Sequence, residues 1–140
     1  MSKSFNVILF EDYTPLDVFG PVEVFSRLPE SIKINFYSEN GGAIKGGGNT
    51  QVETLPFFAL RKSDILLIPG GWGIRREINK TSLKQQITEF ALASEYVLAV
   101  CTGAALLAKC GVLDGLKATC NKLAFDWVQQ QGEKVHWVNT

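Results

Sequence analysis

The chain has 140 residues, 46% hydrophobic and 20% charged, with Lys+Arg and Asp+Glu balanced at 14 each. That is the length and composition of one globular domain over residues 1–140, with enough apolar material for a proper core. Neutral charge without long runs of either sign leaves nothing to hold nucleic acid or an anionic membrane by bulk electrostatics, and no apolar run approaches the roughly 20 residues that cross a bilayer.

The apolar stretch near the N-terminus is too short for a signal-peptide core with its cleavage site. Three cysteines, an odd number, accompany it. A disulfide framework is therefore not expected, and the chain reads as a protein of the reduced cytoplasm.

Short apolar runs alternate with longer segments of helical period, the pattern of a parallel sheet covered by helices. Residues 5–10 (FNVILF) read as a first buried strand and residues 11–15 as a turn. Val18, Val22 and Phe25 share one helical face, but proline does not sit deep inside a helix. The spacing therefore predicts at most a single helical turn over residues 16–20, with the main helix starting near Pro21. Ile32, Ile34 and Phe36 alternate with polar residues, as in a half-buried strand. The glycine-rich residues 40–49 predict a loop or hairpin, and residues 51–54 a short strand.

Ile65–Ile68 is a second apolar strand, ended by Pro69-Gly70-Gly71. Leu83, Ile87, Phe90 and Ala91 fall on one helical face, with Thr81 or Ser82 placed to cap it. Residues 96–100 (YVLAV) predict a third core strand, residues 102–109 a helix, and Gly111 its stop. A short strand over residues 117–120 follows. Next comes a helix with Leu123, Ala124, Trp127 and Val128 inward, then a strand over residues 135–138.

The chemistry concentrates where YVLAV runs straight into Cys101 and then into Gly103, Ala104 and Ala105. This is the cysteine counterpart of a nucleophile elbow, whose sharp turn requires small neighbours and lifts the reactive side chain above the sheet edge. A thiol at a helix N-terminus is expected to favour thiolate. A plain buried cysteine satisfies the same spacing. Pro69-Gly70-Gly71-Trp72-Gly73 ends its own strand and should emerge at the same edge, offering backbone N–H donors beside the sulfur. Asp17 follows the first strand and can reach that edge too; equally, it could be a charge at the N-terminus of the following helix.

Together the segments LDVFGP (16–21), ILLIPGG (65–71) and AVCTGAALLAKCGVLDG (99–115) resemble the DJ-1/PfpI superfamily over essentially the whole chain. The likeness is to the branch that includes isonitrile hydratases and the sensor halves of some AraC-type regulators. The resemblance implies α/β architecture: a flavodoxin-like three-layer sandwich around a mostly parallel central sheet, usually as a homodimer. It implies that Asp17 hydrogen-bonds the elbow Cys101, and that Thr102 and the loop of Gly70, Gly71 and Trp72 line the pocket.

Two departures stand out. Many relatives carry Thr-Thr-His where this chain has Thr119-Cys120-Asn121, and Asn121 cannot act as a base. The one histidine, His136, reads as a half-buried strand residue. Relatives also continue for several dozen residues past the last strand, so the family domain is expected to be truncated here or completed by a partner subunit. No metal site is expected from cysteines spaced this widely with one histidine, and no cofactor is implied. Residues 72–76 (WGIRR) could present Arg75 or Arg76 to an anion, although surface pairing is the commoner fate.

The leading expectation is cysteine-dependent hydration of a small C–N substrate to an N-substituted formamide, with Cys101 as nucleophile and Asp17 carrying the proton. The alternatives are a non-enzymatic redox or ligand sensor built on an oxidisable Cys101, and a glyoxalase or amidase, which the missing histidine disfavours. A DNA-binding regulator would need a helix-turn-helix for which no length remains.

Overall fold

The computed structural model describes residues 2–139, so the two ends of the domain expected over 1–140 lie outside it. Six strands form one sheet: β1 (Lys3–Ile8), β2 (Ile32–Ser38), β3 (Asn40–Lys45), β4 (Gln51–Pro56), β5 (Ile65–Ile68) and β6 (Tyr96–Ala99). Their order is β3-β4-β2-β1-β5-β6, parallel throughout except for the β3–β4 hairpin. The helices are α1 (Pro15–Phe25), α2 (Ile74–Glu77), α3 (Thr81–Ala93), α4 (Gly103–Lys109) and α5 (Phe125–Gln129). A separate parallel pair, β7 (Lys117–Ala118) and β8 (His136–Trp137), closes the described chain.

The apolar runs produce this order. β1 and β5 lie side by side at the centre, and Phe5, Val7, Leu66, Leu67 and Ile68 are wholly buried there. The chain leaves β1 through α1 to pair β2 on one side, and leaves β5 through α3 to pair β6 on the other. Right-handed crossovers running in opposite directions put α1 and α3 on opposite faces, giving the expected flavodoxin-like sandwich. The point where the direction reverses, at the carboxyl ends of β1 and β5, is where such sheets open a crevice.

Several local expectations are corrected. α1 is continuous through Pro21, and Pro15, at its first turn, begins it. Pro21 removes one backbone hydrogen bond, and Gly20 before it has no Cβ to collide with the proline ring. The helix therefore tolerates a residue expected to start it. Lys80 stands at the N-cap position of α3, with Thr81 already helical, and no side chain caps it.

β6 is an edge strand, its residues half-buried or exposed, because among the described residues nothing pairs along its far side. A β-branched run does not distinguish centre from edge. Leu123 is fully exposed, and Phe125 takes the buried place expected of it. His136 is exposed rather than half-buried. Gly111, by contrast, ends α4 as expected. Its φ is +82°, its N–H donates to Ala108 and that of Val112 to Leu107, a Schellman closure.

Pro21 makes a direct test of the helix. Pro21→Ala restores an N–H for the Asp17 carbonyl and should raise stability in chemical denaturation by about 1 kcal/mol, less than the full interior penalty because proline also restricts the unfolded chain. A loss of stability would show that ring packing, absent from this account, dominates.

Candidate active site

The site is built where three strands end. Val100 N–H donates to the Ile68 carbonyl at 3.1 Å, carrying the β5–β6 ladder one residue past β6. The chain then reverses at Cys101, whose φ of +54° is unusual for a residue with a side chain. Gly103 N–H closes the turn on the Val100 carbonyl at 2.9 Å. Gly103 also packs so tightly against the Ile68 carbonyl that no Cβ could be added there. Ala104 and Ala105 behind it are buried. This is the elbow that the small residues predict, with Cys101 at its apex, half-buried.

The loop after β5 is fixed to both neighbours. Gly70 N–H donates to Asp17 Oδ2 at 3.1 Å, Gly71 N–H to Thr102 Oγ1 at 2.9 Å, and Thr14 N–H to the Gly70 carbonyl at 2.9 Å. Gly70 must be glycine: a Cβ there would stand 2.8 Å from Asp17 Oδ2 and 2.8 Å from both Thr102 N and Thr102 Oγ1. Asp17 and Thr102 are buried, at 8% and 5% exposure. The Gly70 and Gly71 N–H groups, expected as oxyanion donors, thus already hold the Asp17 carboxylate and the Thr102 hydroxyl. The donor left on the elbow is Thr102 N–H, which hydrogen-bonds toward the Cys101 sulfur.

Cys101 Sγ donates to Asn121 Oδ1 at 3.0 Å. Asn121 thus sits directly on the sulfur and supplies a hydrogen bond there but no base. Asp17 makes its hydrogen bond to Gly70; it is near enough to Cys101 to act on it through space, without a hydrogen bond between them. His136 lies on β8 and takes no part in the cleft.

Burial sets the proton affinities. It raises Asp17 above the ordinary carboxylate range, only partly offset by the Gly70 N–H. It also raises the Cys101 thiol, against the expectation of a helix-activated thiolate. The Thr102 N–H and the Arg75 charge pull Cys101 down, the Asp17 charge pushes it up, and desolvation wins. Burial likewise raises Cys110 and Cys120.

Above the sulfur is a cleft of about 250 Å³, walled by Thr14, Gly71, Trp72, Arg75 and Asn121, with the exposed Leu123 at its rim. Arg75 packs against two indoles, its guanidinium carbon 4.3 Å from the Trp72 ring centroid and 4.4 Å from that of Trp127. Trp127, expected from the sequence only as an inward helix residue, is the second neighbour of Arg75. The three-residue spacing of Trp72 and Arg75 was a readable signal, whereas Trp127 comes from a distant helix. Arg76 has the ordinary fate, pairing with Asp12 and Glu77.

The sequence pattern of the DJ-1/PfpI family matches residues 3–138. An isonitrile hydratase of Pseudomonas putida is 27% identical over 120 residues, which cover 85% of this chain and 52% of that protein. An uncharacterized protein of Methanocaldococcus jannaschii is 29% identical over 122 residues, covering 84% and 58%. Among solved structures, a ThiJ/PfpI family protein from Pseudomonas syringae superposes with a TM-score of 0.86 at 21% identity, covering 94% of this chain and 55% of that one. Drosophila melanogaster DJ-1beta does so with 0.83 at 23%, covering 100% and 75%. The chain thus spans about half the length of the isonitrile hydratase and of the P. syringae protein.

The proton affinities give a test. Because the folded chain holds the Asp17 proton more tightly than the unfolded one, ionisation of Asp17 works against folding as pH rises above the usual carboxylate range. Asp17→Asn keeps an acceptor for Gly70 and removes that charge. At pH 7 the variant should melt no lower than wild type. Alkylation of Cys101 by iodoacetamide at pH 8 should run roughly two- to tenfold faster, because the anion that opposes the thiolate is gone. Slower alkylation would mean that Asp17 supports the thiolate instead.

Proposed function

The chain belongs to the DJ-1/PfpI family, and from that premise we propose that it hydrates a small C–N substrate of the isonitrile kind, giving an N-substituted formamide through Cys101. The observation that carries this reading is the closeness of an elbow thiol to a buried carboxyl whose burial raises its proton affinity, while the amide on the sulfur cannot serve as a base. Similarity to the P. putida isonitrile hydratase supports the same substrate class.

In the first step Cys101 sulfur bonds to the terminal carbon of R–N≡C while the thiol proton, taken up by the Asp17 carboxylate, is passed on to that carbon, giving Cys–S–CH=N–R. Thr102 N–H steadies the sulfur before it attacks. Asn121 can turn its amide, accepting from the thiol or donating to the thiolate. Water then adds across the C=N bond, its oxygen to carbon and a hydrogen to nitrogen, with the Asp17 carboxylate relaying the proton. Finally the hydroxyl proton passes to Asp17, the C–S bond breaks, and the sulfur recovers that proton from Asp17 as the formamide leaves, restoring thiol and carboxylate. Asp17 and Cys101 therefore titrate as a coupled pair.

Amidase and glyoxalase readings call for a base on the sulfur, and Asn121 stands there. The redox-sensor reading calls for a thiolate at neutral pH, and burial opposes it. A homodimer is retained as the expected assembly. The edge of β6 left unpaired among the described residues, with exposed Tyr96 on it, is where a second copy would add.

The test is formamide formation from a small aliphatic isonitrile, with circular dichroism as a check on folding. Cys101→Ser and Asp17→Asn should each lose at least about a hundredfold in rate, the usual scale for removing a nucleophile or its acid–base partner. His136→Gln should keep most of its activity. A fully active Asp17→Asn with an inactive His136→Gln would assign the proton to the wrong residue, and an inactive wild type would end the proposal.

A further inference from the structure

Arg75 is a half-buried cation in the wall of the cleft that contains Cys101. Its guanidinium carbon lies over the rings of Trp72 and Trp127 at 4.3 and 4.4 Å, and contact with two indoles restrains it. Stacking engages the faces of a guanidinium and leaves its in-plane N–H edge available. Among the described residues no carboxylate lies within ion-pair distance of it, and its side chain makes no hydrogen bond. Its neighbour Arg76, one residue on, contacts Asp12, Glu77 and the Glu11 carbonyl. Among the described residues no acidic side chain lines the cleft; Asp17 is held by Gly70 and is not among its walls. A preoriented, unpaired guanidinium over a nucleophile is a receptor for a planar anion.

We infer that Arg75 binds a carboxylate, so that the molecule attacked by Cys101 is a small carboxylic acid bearing its reactive carbon a few atoms from the anion. The inference rests on the proposed function for the reacting group, which makes the substrate an isocyano-carboxylate; the anion subsite rests on geometry alone. A fork-shaped donor grips both carboxylate oxygens, which holds the far end of the molecule over the sulfur. Trp72 and Trp127 keep that fork in one orientation, so little freedom is lost on binding.

Two alkylating agents of equal size separate the cases without any isonitrile: iodoacetate, which carries a carboxylate, and neutral iodoacetamide. Rates at Cys101 are followed by peptide mapping, with a small free thiol as the reference for intrinsic reactivity. Relative to that reference, iodoacetate should be favoured at Cys101 by about tenfold, as one charge-assisted contact implies. The favour should saturate with concentration. Arg75→Gln should abolish that preference, read as the ratio of the two rates so that any loss of thiolate with the Arg75 charge cancels, and Arg75→Lys should retain only part of it. In the wild-type protein, propionate should protect Cys101 from iodoacetamide and propionamide should not, a readout that needs no variant.

Equal preference for the two agents in the wild-type protein, or a preference that survives Arg75→Gln, would overturn the inference. Turnover of isocyanoacetate against its methyl ester then isolates the function. A carboxylate preference in alkylation with neither isonitrile consumed would leave the anion subsite standing and end the hydratase reading. Equal turnover of acid and ester would do the reverse.

Discussion

Three strand ends meet at an atom that is missing. Gly70 has no Cβ, and the space a Cβ would fill is occupied by the Asp17 carboxylate and by the backbone and hydroxyl of Thr102. Because Gly70 is bare, its N–H can hold Asp17 and the next N–H can hold Thr102, binding the loop after β1, the loop after β5 and the elbow after β6 into one unit. Each loop is short and anchored on a wholly buried strand or the ladder beside it, so the positions of the functional groups follow from the sheet. Any side chain at Gly70 has to displace backbone.

The same closeness decides the chemistry. Bringing Asp17 and Cys101 under cover raises the proton affinity of both, and nearby donors only moderate the effect. The site therefore stores a proton rather than a ready thiolate. With Asn121 on the sulfur in place of a base, the proposed reaction assigns proton movement to the carboxyl. That combination suits addition to a carbon that must gain a proton as the new bond forms, and suits hydrolysis of amides poorly. The indole-stacked Arg75 in the cleft wall supplies a fixed positive charge there.

Much of this was legible in the sequence because it rests on local rules. Apolar runs gave the central strands, and small residues after Cys101 marked the turn. PGG marked the neighbouring loop, and Gly111 marked the end of α4. What escaped depended on contacts between distant segments. Pro21 stays within α1 because Gly20 relieves the local clash, a compensation that a rule about proline alone misses. β6 has the composition of a core strand and lies at an edge. The thiol was expected to be activated by the short helix behind it, yet the desolvation that goes with the same fold outweighs that helix. Trp127 joins Arg75 only once α5 has folded back over the cleft.

The central claim is that Cys101 forms a carbon–sulfur bond to the substrate during turnover. Rapid quenching of the wild-type protein with a small isonitrile, followed by intact-mass and peptide mass spectrometry, measures that bond directly. The account predicts an increment equal to the whole isonitrile, confined to the peptide containing Cys101, and absent from Cys110 and Cys120. A Cys101 that gains only oxygen, or an unmodified Cys101 during continued formamide release, would contradict it.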